Sequence, residues 1–134
     1  MATVYLLRHG EAEGNREGIL LGQLDVPLTE FGKKQADLLG KALSSVAFDA
    51  VFASDLERTR QTAEAVLRHQ RGGEQRCRLI LGRRLREINC GTWQGRPLTE
   101  SHAHLDSVKG DLYTYVRGGG ESPQQMDQRV ARAF

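Results

Sequence analysis

Long apolar runs are missing from this sequence, and no stretch approaches the ~20 consecutive apolar residues that a membrane-spanning helix needs. The N-terminus has no basic segment leading into an apolar core, so no secretory signal is read. Cysteine is scarce: only Cys77 and Cys90 occur, without C-x-x-C spacing. That excludes the common zinc frameworks and a disulfide-stapled secreted scaffold, and predicts free buried thiols in a reducing compartment. An excess of one charge is also absent. Against 17 acidic residues stand 19 basic ones, a net charge of +2, too small to point to nucleic acid as a partner. Basic residues do gather at Arg68, Arg71, Arg76, Arg78, Arg83, Arg84 and Arg86. Such a run reads first as a solvated face and second as a field that attracts small anions. The expectation is a cytoplasmic protein with neither a membrane nor a nucleic acid as partner.

What is present suits a single domain over residues 1–134, 39% hydrophobic and long enough to bury one core. Residues 3–8 are apolar, with β-branched and aromatic side chains, and read as a buried strand that ends at His9-Gly10. Residues 10–28 are polar and glycine-rich, a long loop of the kind that commonly carries function. Thr29 reads as the N-cap of a helix whose apolar stripe is Ala36, Leu39 and Leu43, extended by Ala42 and Val46. Residues 49–53 form a second strand. Ser54 is expected to cap the next helix, with Asp55 and Glu57 in its first turn, running to about His69. Gly72-Gly73 breaks the chain, and residues 78–81 form a third strand. Strand, helix, strand, helix, strand specifies the α/β class with a mostly parallel sheet. Residues 91–120 are less regular, with a helix over residues 99–105. Ser122-Pro123 then opens a last helix, with serine as cap and proline at the first helical position. Met126, Val130 and Phe134 share one face of it. No C-cap glycine follows, so the sequence is expected to stop in mid-helix.

Ligands of open α/β sheets bind beyond the carboxyl ends of the strands. His9 stands past the first strand and Glu87 past the third. Ser54 stands past the second, with Arg58 and Gln61 one and two turns along the following helix. Histidine, arginine and glutamate converging on one edge suit phosphoryl transfer. Arg8 and Arg58 offer planar forks of N–H donors that match phosphate oxygens. His9 can attack phosphorus and form a covalent intermediate. Glu87 can protonate a leaving alkoxide and then deprotonate water. The helix opened by Ser54 would add its positive dipole end near the anion. No metal and no cofactor is needed if the arginines do this work. Taken singly, each residue has a plainer reading. A histidine near a strand end is usually structural, a helical arginine usually lies on the surface, Gly10 reads as a turn glycine, and Gln61-Thr62 reads as support for the helix.

The ordered set of motifs is far more specific. Leu6-Leu7-Arg8-His9-Gly10-Glu11 is followed by Asn15. Residues 22–32 (Gly-Gln-Leu-Asp-Val-Pro-Leu-Thr-Glu-Phe-Gly) precede Gln35-Ala36. Residues 54–63 (Ser-Asp-Leu-Glu-Arg-Thr-Arg-Gln-Thr-Ala) come next, then Leu85-Arg86-Glu87 with Gly91-Thr92-Trp93-Gln94-Gly95, and last Gly118-Gly119-Gly120-Glu121-Ser122. In this order they resemble the histidine phosphatase superfamily, phosphoglycerate mutase-like branch, over nearly the whole chain. The resemblance implies a three-layer α/β/α sandwich and a phosphatase working through phosphohistidine on a small phosphorylated substrate. It implies that His9 is the nucleophile and Glu87 the proton donor. Arg8 and Arg58 would bind phosphate and Asn15 the phosphoryl oxygens, with Gly22 and Gln23 in the substrate-binding loop. Trp93 matches a packing position.

Two features refine the subtype. Ile88-Asn89-Cys90 stands where the mutases tend to have Arg-His-Tyr, and residues 91–95 look phosphatase-type, similar to TIGAR-like fructose-2,6-bisphosphatases. A sugar phosphate such as fructose 2,6-bisphosphate is the first expected substrate. A phosphoglycerate mutase and a non-catalytic anion-binding module are the alternatives. Leu21 departs from the polar residue that the family usually places before its equivalent of Gly22, where the side chain helps hold substrate. The family's late second histidine, in a strand ending like Val-x-His-Gly, has no counterpart, since His69, His102 and His104 all precede the Gly-Gly-Glu-Ser block. The chain is therefore expected to be a piece of a longer protein, or else a short natural form with impaired activity. The oligomeric state is not legible.

Overall fold

A computed structural model describes residues 2–71 and 77–133. The expected break at Gly72-Gly73, together with Arg76 and Phe134, lies outside the described residues.

Helix α1 (Glu30–Ala42) starts where the sequence places it, with the Thr29 hydroxyl accepting the Gly32 N–H at 3.0 Å. Its buried face differs from the expected stripe. Gly32, Ala36 and Gly40 are buried, Leu39 and Leu43 are half-covered, and Ala42 is exposed. The cause is helix α2 (Glu57–Arg68), which lies so close that no side chain fits at Gly40. A Cβ on Gly40 would stand 2.6 Å from His69 Cδ2 and 2.7 Å from the Ala65 carbonyl oxygen. Leu28, Ala36 and Ala65 form a buried cluster at this seam. At its edge, Asp37 bonds Lys41 at 2.8 Å and His69 at 2.6 Å. Those two partners, Lys41 foremost, hold the Asp37 carboxyl down to about 2.

Strands β1 (Ala50–Ala53) and β2 (Arg78–Leu81) pair in parallel, in register from Ala50 with Arg78 to Ala53 with Leu81. Helix α2 is the crossover between them, as a parallel pair requires. The chain is thus a mixed α/β structure with a parallel sheet. The expected strand over residues 3–8 is corrected. These residues have no ladder partner among the described residues, and Val4 and Leu6 are 85% and 95% exposed. Their composition favours a strand, but a strand exists through its neighbours, and propensity alone does not supply one. Tyr5 meets Phe48 edge-on at 5.5 Å.

The start of α2 is corrected too. Its N-cap is Leu56, not Ser54. Ser54 is buried and donates its hydroxyl to Thr59 Oγ1 at 2.9 Å. The Glu57 N–H is accepted instead by the carboxylate of Asp25 at 2.7 Å, from a loop 32 residues away in sequence. A side chain so distant leaves no local capping signal.

The second half is built from two 3-10 turns (Arg83–Leu85 and Gly91–Trp93), helix α3 (Leu98–Ser107) and helix α4 (Pro123–Ala131). Helix α3 lies close to its expected bounds. Ser122 and Gln125 form a capping box at the start of α4. Helix α4 ends at Ala131, with Arg132 as its C-cap. Met126 and Val130 are half-buried on one face, as expected. Cys77 and Cys90 are free and buried. No helix among the described residues is long and apolar enough to cross a membrane.

The α1–α2 seam gives a direct test. Gly40→Val should destabilise the fold by about 1–3 kcal/mol through overpacking, outweighing the roughly 0.4 kcal/mol that valine regains in helix propensity. Chemical denaturation reads the difference, and an unchanged midpoint would mean that the helices have room.

Candidate active site

Gly10 is the fixed point of the N-terminal segment. Its N–H donates to Thr62 Oγ1 at 3.1 Å, and Thr62 in turn donates to the Arg58 carbonyl at 2.8 Å. A Cβ here would stand 2.4 Å from the Gly32 carbonyl oxygen, so glycine serves close approach to the start of α1 rather than a turn. Beside it, His9 Nδ1 lies 2.7 Å from the Gly10 carbonyl oxygen. A carbonyl only accepts, so Nδ1 carries the proton and Nε2 has the free lone pair. Burial lowers the His9 pKa below its ordinary 6.5, opposed by the Gly10 hydrogen bond; Arg58 and Arg8 push the same way as burial, while Glu87 opposes it. The imidazole is therefore neutral at physiological pH.

Arg58 is 2% exposed. Its Nη1 donates to the Leu24 carbonyl at 2.8 Å and its Nη2 to the Gly22 carbonyl at 2.7 Å. Its buried Nε has no acceptor among the described residues. Burial works against the guanidinium charge, and Glu87 and Asp25 support it. A buried donor left unpaired costs about 1–3 kcal/mol, which an anion's oxygen at Nε would recover.

The loop that Arg58 holds reaches Glu87. Gln94 Oε1 accepts the Gln23 N–H at 2.8 Å and the Cys90 N–H at 3.2 Å, while Gln23 Nε2 donates to the Glu87 carbonyl at 3.0 Å. Gly22 has φ +52°, and a Cβ on it would stand 2.4 Å from Gln94 Oε1. Glu87 itself is exposed, with Oε1 accepting the Ile88 N–H at 2.9 Å. Leu21 is buried beside Gly14.

The structure thus brings His9, Arg8, Arg58 and Glu87 into one electrostatic neighbourhood and ties Gly22 and Gln23 to it by hydrogen bonds. Asn15 is engaged in its own turn, its Oδ1 accepting the Ala12 N–H at 2.8 Å. At the N-terminus of α2, Asp25 occupies the Glu57 N–H, so that donor is not free for an anion. Gln61 and Thr62 are supports: Gln61 Oε1 accepts the Leu28 N–H at 2.8 Å. Trp93 packs between Arg96 and His104, at 4.2 Å and 4.5 Å. No group of three or more His, Cys, Asp or Glu suited to a metal occurs among the described residues.

Three contributors escape sequence reasoning: Gln94, Glu121 and Arg129. Gln94 carries a partial signal, a polar side chain between two positive-φ glycines, Gly91 and Gly95. Arg129 reads as an ordinary helical surface residue. Glu121 belongs to the triple-glycine block. That block docks on residues 89–91: a Cβ on Gly120 would stand 2.0 Å from the Asn89 carbonyl oxygen, and the Glu121 N–H donates to that oxygen at 2.8 Å.

The model of the histidine phosphatase superfamily (branch 1) matches residues 4–134. The chain belongs to that family. It is 41% identical over 130 residues to the fructose-2,6-bisphosphatase TIGAR of Xenopus tropicalis, covering 96% of this chain and 47% of the relative. To the probable phosphoglycerate mutase GpmB of Erwinia tasmaniensis it is 37% identical over 138 residues, covering 100% of this chain and 62% of that one. Among solved structures, a mycobacterial glucosyl-3-phosphoglycerate phosphatase complexed with VO3 superposes with a TM-score of 0.79 at 28% identity, covering 93% of this chain and 59% of that one. The chain spans about half to three-fifths of the length of these relatives.

Gln94 is the hinge pin of the loop. Gln94→Leu strands two backbone N–H groups, and urea unfolding should show a loss of about 1–3 kcal/mol. An unchanged midpoint would mean that water or another side chain replaces it.

Proposed function

We propose that the protein is a phosphomonoester phosphatase that acts through a phosphohistidine at His9 on a small phosphorylated metabolite, a sugar phosphate such as fructose 2,6-bisphosphate. The observation that carries this reading is the hydrogen bond that fixes His9 Nδ1–H on the Gly10 carbonyl and leaves Nε2 free, with burial, Arg58 and Arg8 all favouring the neutral ring.

The Nε2 lone pair attacks phosphorus and the bond from phosphorus to the ester oxygen breaks. Glu87 hands its proton to the departing alkoxide. Water then attacks the phosphohistidine, Glu87 takes a proton from it, and the P–N bond breaks to release phosphate. Arg8 and the unpaired Nε of Arg58 neutralise the charge on the equatorial oxygens, and catalysis is mostly positioning and electrostatics. Asn15 still has its carboxamide N–H groups to offer to the phosphoryl oxygens, since only its Oδ1 is engaged in the turn. Gly22 and Gln23 form the loop that carries the alcohol portion. With Leu21 turned toward Gly14, backbone groups rather than a polar side chain grip the substrate there.

The similarity to TIGAR supports a sugar bisphosphate. The similarity to GpmB supports the second reading, a phosphoglycerate mutase. Two free thiols fit a reducing compartment, the cytoplasm.

Phosphate release from a panel of phosphosugars tests the proposal. Turnover of fructose 2,6-bisphosphate with release of phosphate is expected. Interconversion of 2- and 3-phosphoglycerate with little free phosphate would establish the mutase instead, and no turnover of any member would refute both. His9→Ala should lower the rate on the order of 10⁴-fold or more and abolish trapping of labelled phosphate on the chain. Because the His9 pKa lies below 6.5, its protonation should cut kcat/KM only as the pH falls beneath that value. An acidic limb centred above 6.5 would contradict the assignment.

A further inference from the structure

We infer that Arg129 and Glu121 form a clamp that positions Glu87, so that Arg129 is a positioning residue for the proton transfer. The inference rests on the role proposed above for Glu87.

Arg129 grips Glu121 at two points, Nε to Oε2 at 3.0 Å and Nη2 to Oε1 at 2.6 Å. The rest of its fork is spent on backbone. Nη1 donates to the Arg84 carbonyl at 2.7 Å and the Arg86 carbonyl at 3.0 Å, and Nη2 approaches the Glu87 carbonyl at 3.4 Å. On the far side, Glu121 Oε1 accepts the Asn89 N–H at 2.9 Å. One ion pair, its side chains 21% and 15% exposed, thus holds the main chain immediately before and after residue 87. Between those two held points lies Ile88, whose N–H orients the Glu87 carboxylate. Gln23 adds a third hold, on the Glu87 carbonyl. The Glu87 side chain is exposed, and the bond from the Ile88 N–H ties its direction to the backbone that Arg129 fixes. An ion pair that served α4 alone would not reach three carbonyls of a neighbouring turn. Lysine cannot replace this arginine, because it offers a point charge in place of a planar fork.

The readout is the leaving group in the phosphorylation of His9, the step that kcat/KM reports. There a departing alkoxide needs the Glu87 proton, whereas p-nitrophenolate leaves without it; the later hydrolysis uses Glu87 as base for either substrate and enters kcat alone. Arg129→Ala should lower kcat/KM on fructose 2,6-bisphosphate about 10²-fold, as for a catalytic group displaced by about 1 Å. It should barely affect kcat/KM on p-nitrophenyl phosphate. Arg129→Lys should recover little of the loss. Glu121→Gln keeps an acceptor for Asn89 and should show the same discrimination on a smaller scale; it serves as the test if Arg129→Ala does not fold. Equal losses on the two substrates, or none on either, would overturn the clamp. Glu87→Gln separates the two failures. If it also treats the substrates alike, the acid role of Glu87 fails. If it discriminates and the Arg129 and Glu121 variants do not, only the clamp fails.

Discussion

The site depends on a buried cation held by backbone carbonyls. Arg58 lies almost wholly inside the structure, and the carbonyls of Gly22 and Leu24 take two of its nitrogens. Hydrogen bonds to a charged group contribute about 1.5–3 kcal/mol each, and a buried charge that loses its partner costs about 3–5 kcal/mol. The chain around residues 22–24 therefore cannot relax without exposing or orphaning the guanidinium. Once that loop is set, Gln23 is aimed at the Glu87 carbonyl and Gln94 closes the junction. The same cation helps keep the His9 ring neutral.

Regular structure contributes little of the site directly. Helix α2 supplies Arg58 and Thr62, and α4 supplies Arg129. His9, Arg8 and Glu87 all sit on irregular backbone. Order there comes from side chains bonded to main-chain groups: Thr62 on Gly10, Gln61 on Leu28, Gln94 on Gln23 and Cys90, Glu121 on Asn89. This suits a reaction whose partners must stay within a few tenths of an ångström of their working positions.

Much of this was legible from residue patterns, and the remainder failed for identifiable reasons. Local signals did well. The threonine cap of α1, the serine–proline start of α4 and strand β2 lie where composition and spacing put them. Signals that depend on distant partners did not. Residues 3–8 have the composition of a strand but no ladder partner among the described residues. The cap of α2 comes from Asp25 across the fold. Of the expected α1 stripe Ala36 is buried, but Leu39 and Leu43 give way to Gly32 and Gly40, because only the approach of α2 decides which face is buried. For the site, the motifs name His9, Arg8, Arg58 and Glu87, and Arg58, Arg8 and Glu87 all act electrostatically on His9. Gln23 does something that the motif did not indicate, spending its side chain on the Glu87 backbone, and the hold of Arg129 on three carbonyls leaves no trace in spacing or composition.

The bond between His9 Nδ1 and the carbonyl of its own neighbour has an evolutionary consequence. Where a carboxylate side chain fixes the tautomer of a histidine, a single substitution can erase it. Here the acceptor is main chain, and every amino acid carries one. No side-chain replacement at position 10 removes that acceptor. The requirement for glycine comes instead from the crowding against Gly32. Protonation state and steric fit at this position are thus separate traits. Sequence drift can damage the fit while leaving intact the arrangement that keeps Nε2 unprotonated.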